Sequence, residues 1–444
     1  MNPTDKSLLA GFENALGGID PLRRTGVVTE VTGLIVQSTG PLAAVGEVCE
    51  IESSQGRRIL VQVVGFRDGQ LLSMPLEETD GLVAGSSIVA RADESSIRVS
   101  PALLGRVLDG YGRPMDGLPA LESGVPYALQ APPPNPMERR HITERLVTGV
   151  RAIDGMLPIG KGQRVGIFGG SGVGKSVLLG SLAKHNSADV TVVGLIGERN
   201  REVLEFIDHE LGPEGLKRSV VVVATSDRPA PLRVRAALTC TAIAEYFRDQ
   251  GLDVLLIMDS VTRLAMAQRE IGLAVGEIPA SRGYPPSVFG RISSLCERAG
   301  NGAEGSGGIT AFYTVLVEGD DPNDPVGDSA RSILDGHLVL SRRLADRGHF
   351  PALDVGASVS RVMPAVVPPA QMWQAQRLKQ LFNRLEESRD IIAIGGYRPG
   401  HDAELDRAVA LQPAITEFLC QDMTNAVRFS ESVAALGGIV GGQA

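Results

Sequence analysis

From Thr25 to about Val99, apolar and polar positions alternate in short runs: GVVTEV, LIVQ, VCEIES, RILVQVVGF, GQLLSMPL, SSIVARA and SIRVS. Gly, Asp and Ser turns separate them at close, regular spacing. Alternation marks strands with one face in a core. Many short strands so spaced read as a small closed β-barrel, because closure removes exposed edges. The barrel is assigned to 23–99. Ahead of it, Leu8, Phe12 and Leu16 form one stripe of a short helix that Gly17 and Gly18 end. That stripe, in a segment spanning 1–22, fits packing on its own domain and docking on a partner equally well.

Residues 100–147 read as a connector. They contain Pro119, Pro126 and the stiff, extended run APPPNP at 131–136. The pattern changes over 148–364, where near-continuous apolar runs (RVGIFGG, VTVVGLIG, VVVVAT, VLLIMDS, ITAFYTVLV, HLVLS) alternate with helical segments. Strands that apolar throughout are buried on both faces, which predicts a mostly parallel sheet sandwiched by helices. Beyond the prolines at 364–369, helical periodicity fills 365–444. The fold class is therefore α/β, with a small β-barrel before the core and a helical domain after it.

Composition narrows this only slightly. The 444 residues suffice for two or three domains, and 43% hydrophobic with 21% charged residues is a globular balance. Aromatics are only 4%, so the core must be mostly Val, Leu, Ile and Ala. A net charge of −9 argues against general nucleic-acid binding. All but six of the 43 basic residues are Arg, which favours planar recognition of phosphates and carboxylates but follows equally from genome composition. Cys49, Cys240, Cys296 and Cys420 have no metal-ligand spacing and read as reduced core residues. No secretory leader or membrane-spanning run is seen, so a cytoplasmic location is expected.

The chemistry concentrates in GGSGVGKS at 169–176, which follows the predicted strand RVGIF and opens the predicted helix SVLLGSLAKH. That setting is what a phosphate-binding G-x-x-x-x-G-K-[ST] loop requires. The nucleotide-contacting stretch is Gly169, Gly170, Ser171, Gly172, Val173, Gly174, Lys175, Ser176 and Val177. Glycines let the backbone wrap close to phosphates, while loop N–H groups and the helix N-terminus supply positive potential. Lys175 is expected to reach the β- and γ-phosphates of ATP, and the Ser176 hydroxyl to ligate Mg²⁺. A functionless glycine-rich turn would have to reproduce both the motif and its setting by chance.

Asp259 ends the strand VLLIMDS, at the sheet edge where α/β folds bind ligands, and is the second candidate for Mg²⁺. Glu198 ends another strand; it could orient the attacking water or merely cap a helix. Arg199 and Arg263 are phosphate neighbours or structural ion-pair partners. Arg361 lies on the apolar, alternating segment FPALDVGASVSRV. An arginine held there needs an acceptor, either a γ-phosphate or a carboxylate.

The runs TGVRAIDGMLPIGKGQRVGIFGGSGVGKS, IGERNRE, LLIMDSVTRLAMAQREI, PASRGYPPSVF and DPVGDSARSILDGH resemble the rotary-ATPase catalytic superfamily. Within it the chain is most similar to the ATPases of type III protein export, the flagellar ones in particular. The resemblance covers roughly residues 20–440. It implies a RecA-like P-loop core and a homohexameric ring with nucleotide sites between subunits. By position, Lys175 and Ser176 would serve phosphate and Mg²⁺, Asp259 the metal, and Glu198 the attacking water. Arg199 and Arg263 would lie around the phosphates, Arg361 would be an arginine finger lent to the neighbouring subunit, and Phe350 would stack on adenine. Implied partners are a stator-like regulator at the N-terminus, a central stalk-like protein, the export gate and chaperone–substrate complexes. The chain would sit peripherally on the cytoplasmic face of the inner membrane.

Other readings are a virulence-type secretion ATPase, a rotary ATP synthase β-type subunit, a termination-factor-like RNA translocase and a binding module without turnover. The β-type reading is weakened because GGYRPG at 395–400 replaces the acidic motif that follows DIIAI in those subunits. Phe66 is the single aromatic in 25–99, which disfavours an RNA-binding barrel. Glu198 argues against a silent binding module.

Overall fold

The computed structural model describes residues 24–91, 95–121, 124–317, 321 and 324–441; the Leu8, Phe12 and Leu16 stripe lies outside the described residues. Along the sequence the chain divides into two compact units, with the boundary between Ser95 and Ser96. In the first, β1 (Thr25–Thr32), β2 (Ile35–Thr39), β3 (Val48–Glu52), β4 (Arg58–Arg67), β5 (Gln70–Pro75) and β6 (Ser87–Arg91) close a barrel in the order β1-β2-β5-β4-β3-β6. Inward alternation fills it with Val28, Val36, Cys49, Ile51, Ile59, Val61, Val63 and Ile88.

One strand expected in the barrel lies elsewhere. SIRVS forms β7 (Ser96–Val99), which pairs antiparallel with β9 (Val125–Ala128) in the second unit. Alternation marked it correctly as a strand but carries no information about its partner. The connector reading of 100–147 also needs correction. It contains β8 (Val107–Asp109), which runs parallel to β14 (Ser219–Ala224) as the edge of the central sheet. Three residues are too few to show a period.

The small pair β10 (Arg145–Leu146) and β11 (Ile159–Gly160) precedes the central strands. These are β12 (Arg164–Gly169), β13 (Val190–Ile196), β14, β15 (Asp253–Asp259), β17 (Gly308–Leu316), β18 (Gly336–Val339) and β19 (Val359–Ser360), with β16 (Gly300–Asn301) paired to β17. The sheet order is β19-β18-β12-β17-β15-β13-β14-β8, parallel except for β19 and β16. Nearly every residue of β12, β13 and β15 is buried, as strands covered on both faces must be. Parallel register puts Gly169, Ile196 and Asp259 at one edge, at the carboxyl ends of their strands, where α/β sheets bind ligands.

The last helices, Pro369–Ala393, Ala403–Leu419 and Phe429–Val440, are continuous with this core. Leu378, Leu381, Phe382, Phe418 and Leu436 belong to the same apolar cluster as Val165, Ile167 and Ile257 of the sheet. The Arg151 Nε donates to the Phe418 carbonyl at 2.8 Å, and Gln371 Nε2 donates to that of Asp154 at 3.0 Å. No helix among the described residues is long and apolar enough to cross a membrane.

Two covering helices, Ala230–Asp249 and Pro286–Arg298, are joined by a buried bidentate pair. Arg298 donates to Glu245 at 2.9 and 2.6 Å, and its side chain is 3% exposed. Removing one member of such a pair strands the other charge in the core. Glu245→Ala is therefore expected to cost about 3–5 kcal/mol, read as a lower midpoint of chemical denaturation than that of the unaltered chain.

Candidate active site

β12 ends at Gly169 and the chain enters a loop that needs two left-handed residues. Gly172 and Gly174 supply them at φ +79° and +81°. Gly174 also caps the helix Lys175–His185, whose first turn has no side-chain cap. Its leading amides are thus an anion-binding end. Gly170, Ser171, Gly172, Gly174, Lys175, Ser176 and Val177 line a cavity of about 690 Å³. Gly169 and Val173 do not. Gly169 packs on Leu340, and the Val173 side chain is 1% exposed in the apolar cluster, where it pins the loop to the core.

Lys175 turns back toward the sheet edge. Its Nζ lies 2.5 Å from Asp259 Oδ1 and 3.8 Å from Glu198 Oε1. The Thr314 hydroxyl, on the adjoining strand β17, donates to the same Asp259 oxygen at 2.6 Å. Asp259 is thereby fixed from two sides. Glu198 follows β13 across Gly197, which takes φ +73°; a Cβ on that glycine would come within 2.8 Å of the Arg263 Cβ. Glycine is required there for Arg263 and Glu198 to share the rim. Glu198 Oε1 is buried without a hydrogen-bond partner. Burial first, and then the Asp259 carboxylate, push its pKa up to about 7 against the pull of Lys175.

Arg263 and Arg199 both line the cavity, with Arg263 Nε buried and unpartnered and Arg199 paired to Glu202 at 3.2 Å on the exposed rim. The Phe350 ring approaches the loop from outside. A Cβ on Gly174 would lie 3.4 Å from it, and 43% of the residue is exposed, leaving area for a flat ligand.

Arg361 corrects an expectation. It is exposed rather than held in an apolar setting, does not line the cavity of its own chain, and pairs with no carboxylate among the described residues. Among the described residues its guanidinium donates to the Arg331 carbonyl alone, at 3.4 Å. Alternation along the segment suggested burial, but Arg361 sits just past the end of β19. Several site residues carry no motif. Thr314 is set by strand register, Thr262 accepts from the Leu316 N–H at 2.8 Å, and Arg342 donates to the Ser171 carbonyl at 2.7 Å.

A glycine cradle at a helix N-terminus, with a lysine between two carboxylates at the carboxyl edge of a parallel sheet, defines a P-loop nucleotide-binding protein with a RecA-like core. The nucleotide-binding domain of the ATP synthase alpha/beta family matches residues 149–360, that family's β-barrel domain matches 28–91, and the T3SS EscN ATPase C-terminal domain matches 367–438. The chain belongs to the ATP synthase α/β family, alongside its flagellum-specific and type 3 secretion members. It is 50% identical to the flagellum-specific ATP synthase of Salmonella typhimurium, covering 96% of each chain. It is 49% identical to the type 3 secretion system ATPase of Xanthomonas euvesicatoria, covering 92% of each. The assembled ATPase EscN of enteropathogenic E. coli superposes with a TM-score of 0.88 at 45% identity, over 94% of this chain and all of that one.

Because folded Glu198 holds its proton more tightly than the unfolded chain does, it removes stability as pH rises from 4.5 to about 7, and the loss is complete above that. Glu198→Gln abolishes this titration. Its thermal midpoint without nucleotide should gain on that of the native chain at pH 8 and much less at pH 5. Equal gains at both pH values would contradict the raised pKa.

Proposed function

We propose that this chain is the ATPase of a flagellar protein export apparatus, hydrolysing Mg-ATP in a homohexameric ring to unload and deliver export substrates. The observation that carries this reading is the grouping of Lys175, Asp259 and Glu198 beside the phosphate loop, with Arg361 exposed outside its own chain's cavity. Lys175 binds phosphate oxygens. Glu198, poised near neutrality and open to the cavity, orients water and accepts its proton. Arg199 and Arg263 stand at the rim for phosphate charge, and Phe350 stacks on the base.

The donor set suits Mg²⁺ as well. Among the described residues no group of three or more His, Cys, Asp or Glu could cage a metal, and Mg²⁺ takes most of its ligands from phosphates and water. Ser176 and Asp259 would hold it, and it would supply charge neutralisation on the phosphates. Arg361 of a neighbouring copy would complete the site, so the monomer binds nucleotide and the ring turns it over. Relatives in assembled form, including EscN with its central stalk EscO, support self-association and a stalk partner here. A stator-like regulator, an export gate, chaperone–substrate complexes and a peripheral place on the inner membrane belong to the same reading.

Turnover per molecule should fall steeply on dilution through the assembly concentration and be lost in Arg361→Ala, while nucleotide binding persists in both. Glu198→Gln should likewise bind ATP but hydrolyse it at least 100-fold more slowly. A dilution-independent rate would sink the interfacial site. Restored swimming, but not effector secretion, in strains lacking their own ATPase would establish the flagellar assignment.

A further inference from the structure

The short helix Arg342–Ala345 touches the phosphate loop with one residue and the helical end of the chain with the next. Arg342 lines the cavity, and its Nη2 donates to the Ser171 carbonyl at 2.7 Å. Arg343 Nη2 lies 2.8 Å from Glu386 Oε2, on the long helix Pro369–Ala393. Arg347 Nη1 is 3.7 Å from the same oxygen, and Arg389 donates to Glu386 Oε1 at 2.7 Å. The short helix has little slack. Leu344 is 4% exposed beneath it, and the Ser341 N–H is tied to the Ala352 carbonyl at 2.8 Å.

We infer that Glu386 is a positioning residue for nucleotide binding, acting through Arg343 and Arg342 on the Ser171 carbonyl of the phosphate loop. The inference rests on reading the cavity as an ATP site. An isolated exposed ion pair would be too weak for this. Glu386 differs in being only 19% exposed and in meeting three guanidinium groups, two of them on the core side. With the carboxylate present the core and the long helix attract. With it neutralised, Arg343 and Arg347 face Arg389 as like charges, and attraction becomes repulsion. The bond to Ser171 begins one residue from Arg343, and a hydrogen bond weakens steeply within an ångström of its optimum. A loop carbonyl held by a guanidinium cannot swing into the cradle where phosphate oxygens need N–H groups.

The test is equilibrium binding of a fluorescent ATP analogue to the full chain, beside kcat and KM for ATP. Glu386→Gln and the more exposed Arg343→Ala should each raise Kd and KM roughly 5- to 10-fold, leaving kcat at saturating ATP within about twofold. Glu386→Asp should recover most of the affinity. Arg342→Ala should weaken binding similarly, and adding Glu386→Gln to it should weaken binding no further. Native affinity in both Glu386→Gln and Arg343→Ala overturns the inference, as do additive losses in the double variant. If the unaltered chain fails to bind the analogue, the ATP reading itself falls, and the inference with it.

Discussion

Lys175 holds its ammonium between Asp259 and Glu198, and that contact organises the edge of the sheet. Two carboxylates gathered around one ammonium would repel each other. One cation offsets only part of this: Asp259 takes the short contact, while burial and then the Asp259 charge drive the more distant Glu198 toward its protonated form. The pair therefore splits into an acid fixed by Lys175 and Thr314 and a second carboxyl that titrates near neutrality.

The remaining architecture serves that contact. Parallel strands bring Gly169, Glu198 and Asp259 to one edge because β12, β13 and β15 all run the same way through β17. Burial of β12, β13 and β15 on both faces makes the edge rigid, since displacing any strand would open voids in a close-packed core. The two positive-φ glycines let the loop turn into the helix without strain, while Val173 nails the loop to the same core. The helical end shares the apolar cluster and meets the loop again through Glu386, Arg343 and Arg342. Nucleotide binding and the position of the last helices are thereby joined by charge as well as by packing.

The sequence by itself determined what short-range periodicity and motif spacing can encode. The barrel strands, the buried parallel strands, the helical end and the phosphate loop were all legible, because alternation and helical stripes are written residue by residue. Lys175, Ser176, Asp259 and Glu198 were legible because each sits at a strand end or in a fixed motif. Tertiary structure alone decided partners and exposure. It moved SIRVS out of the barrel, recruited Val107–Asp109 to the sheet, and left Arg361 on the surface. It also supplied Thr314 through a strand register, and Arg342 and Glu386 through contacts spanning up to 171 residues of chain. A local pattern states which face of an element is apolar; what that face or side chain meets depends on how distant segments pack, and no local pattern carries that.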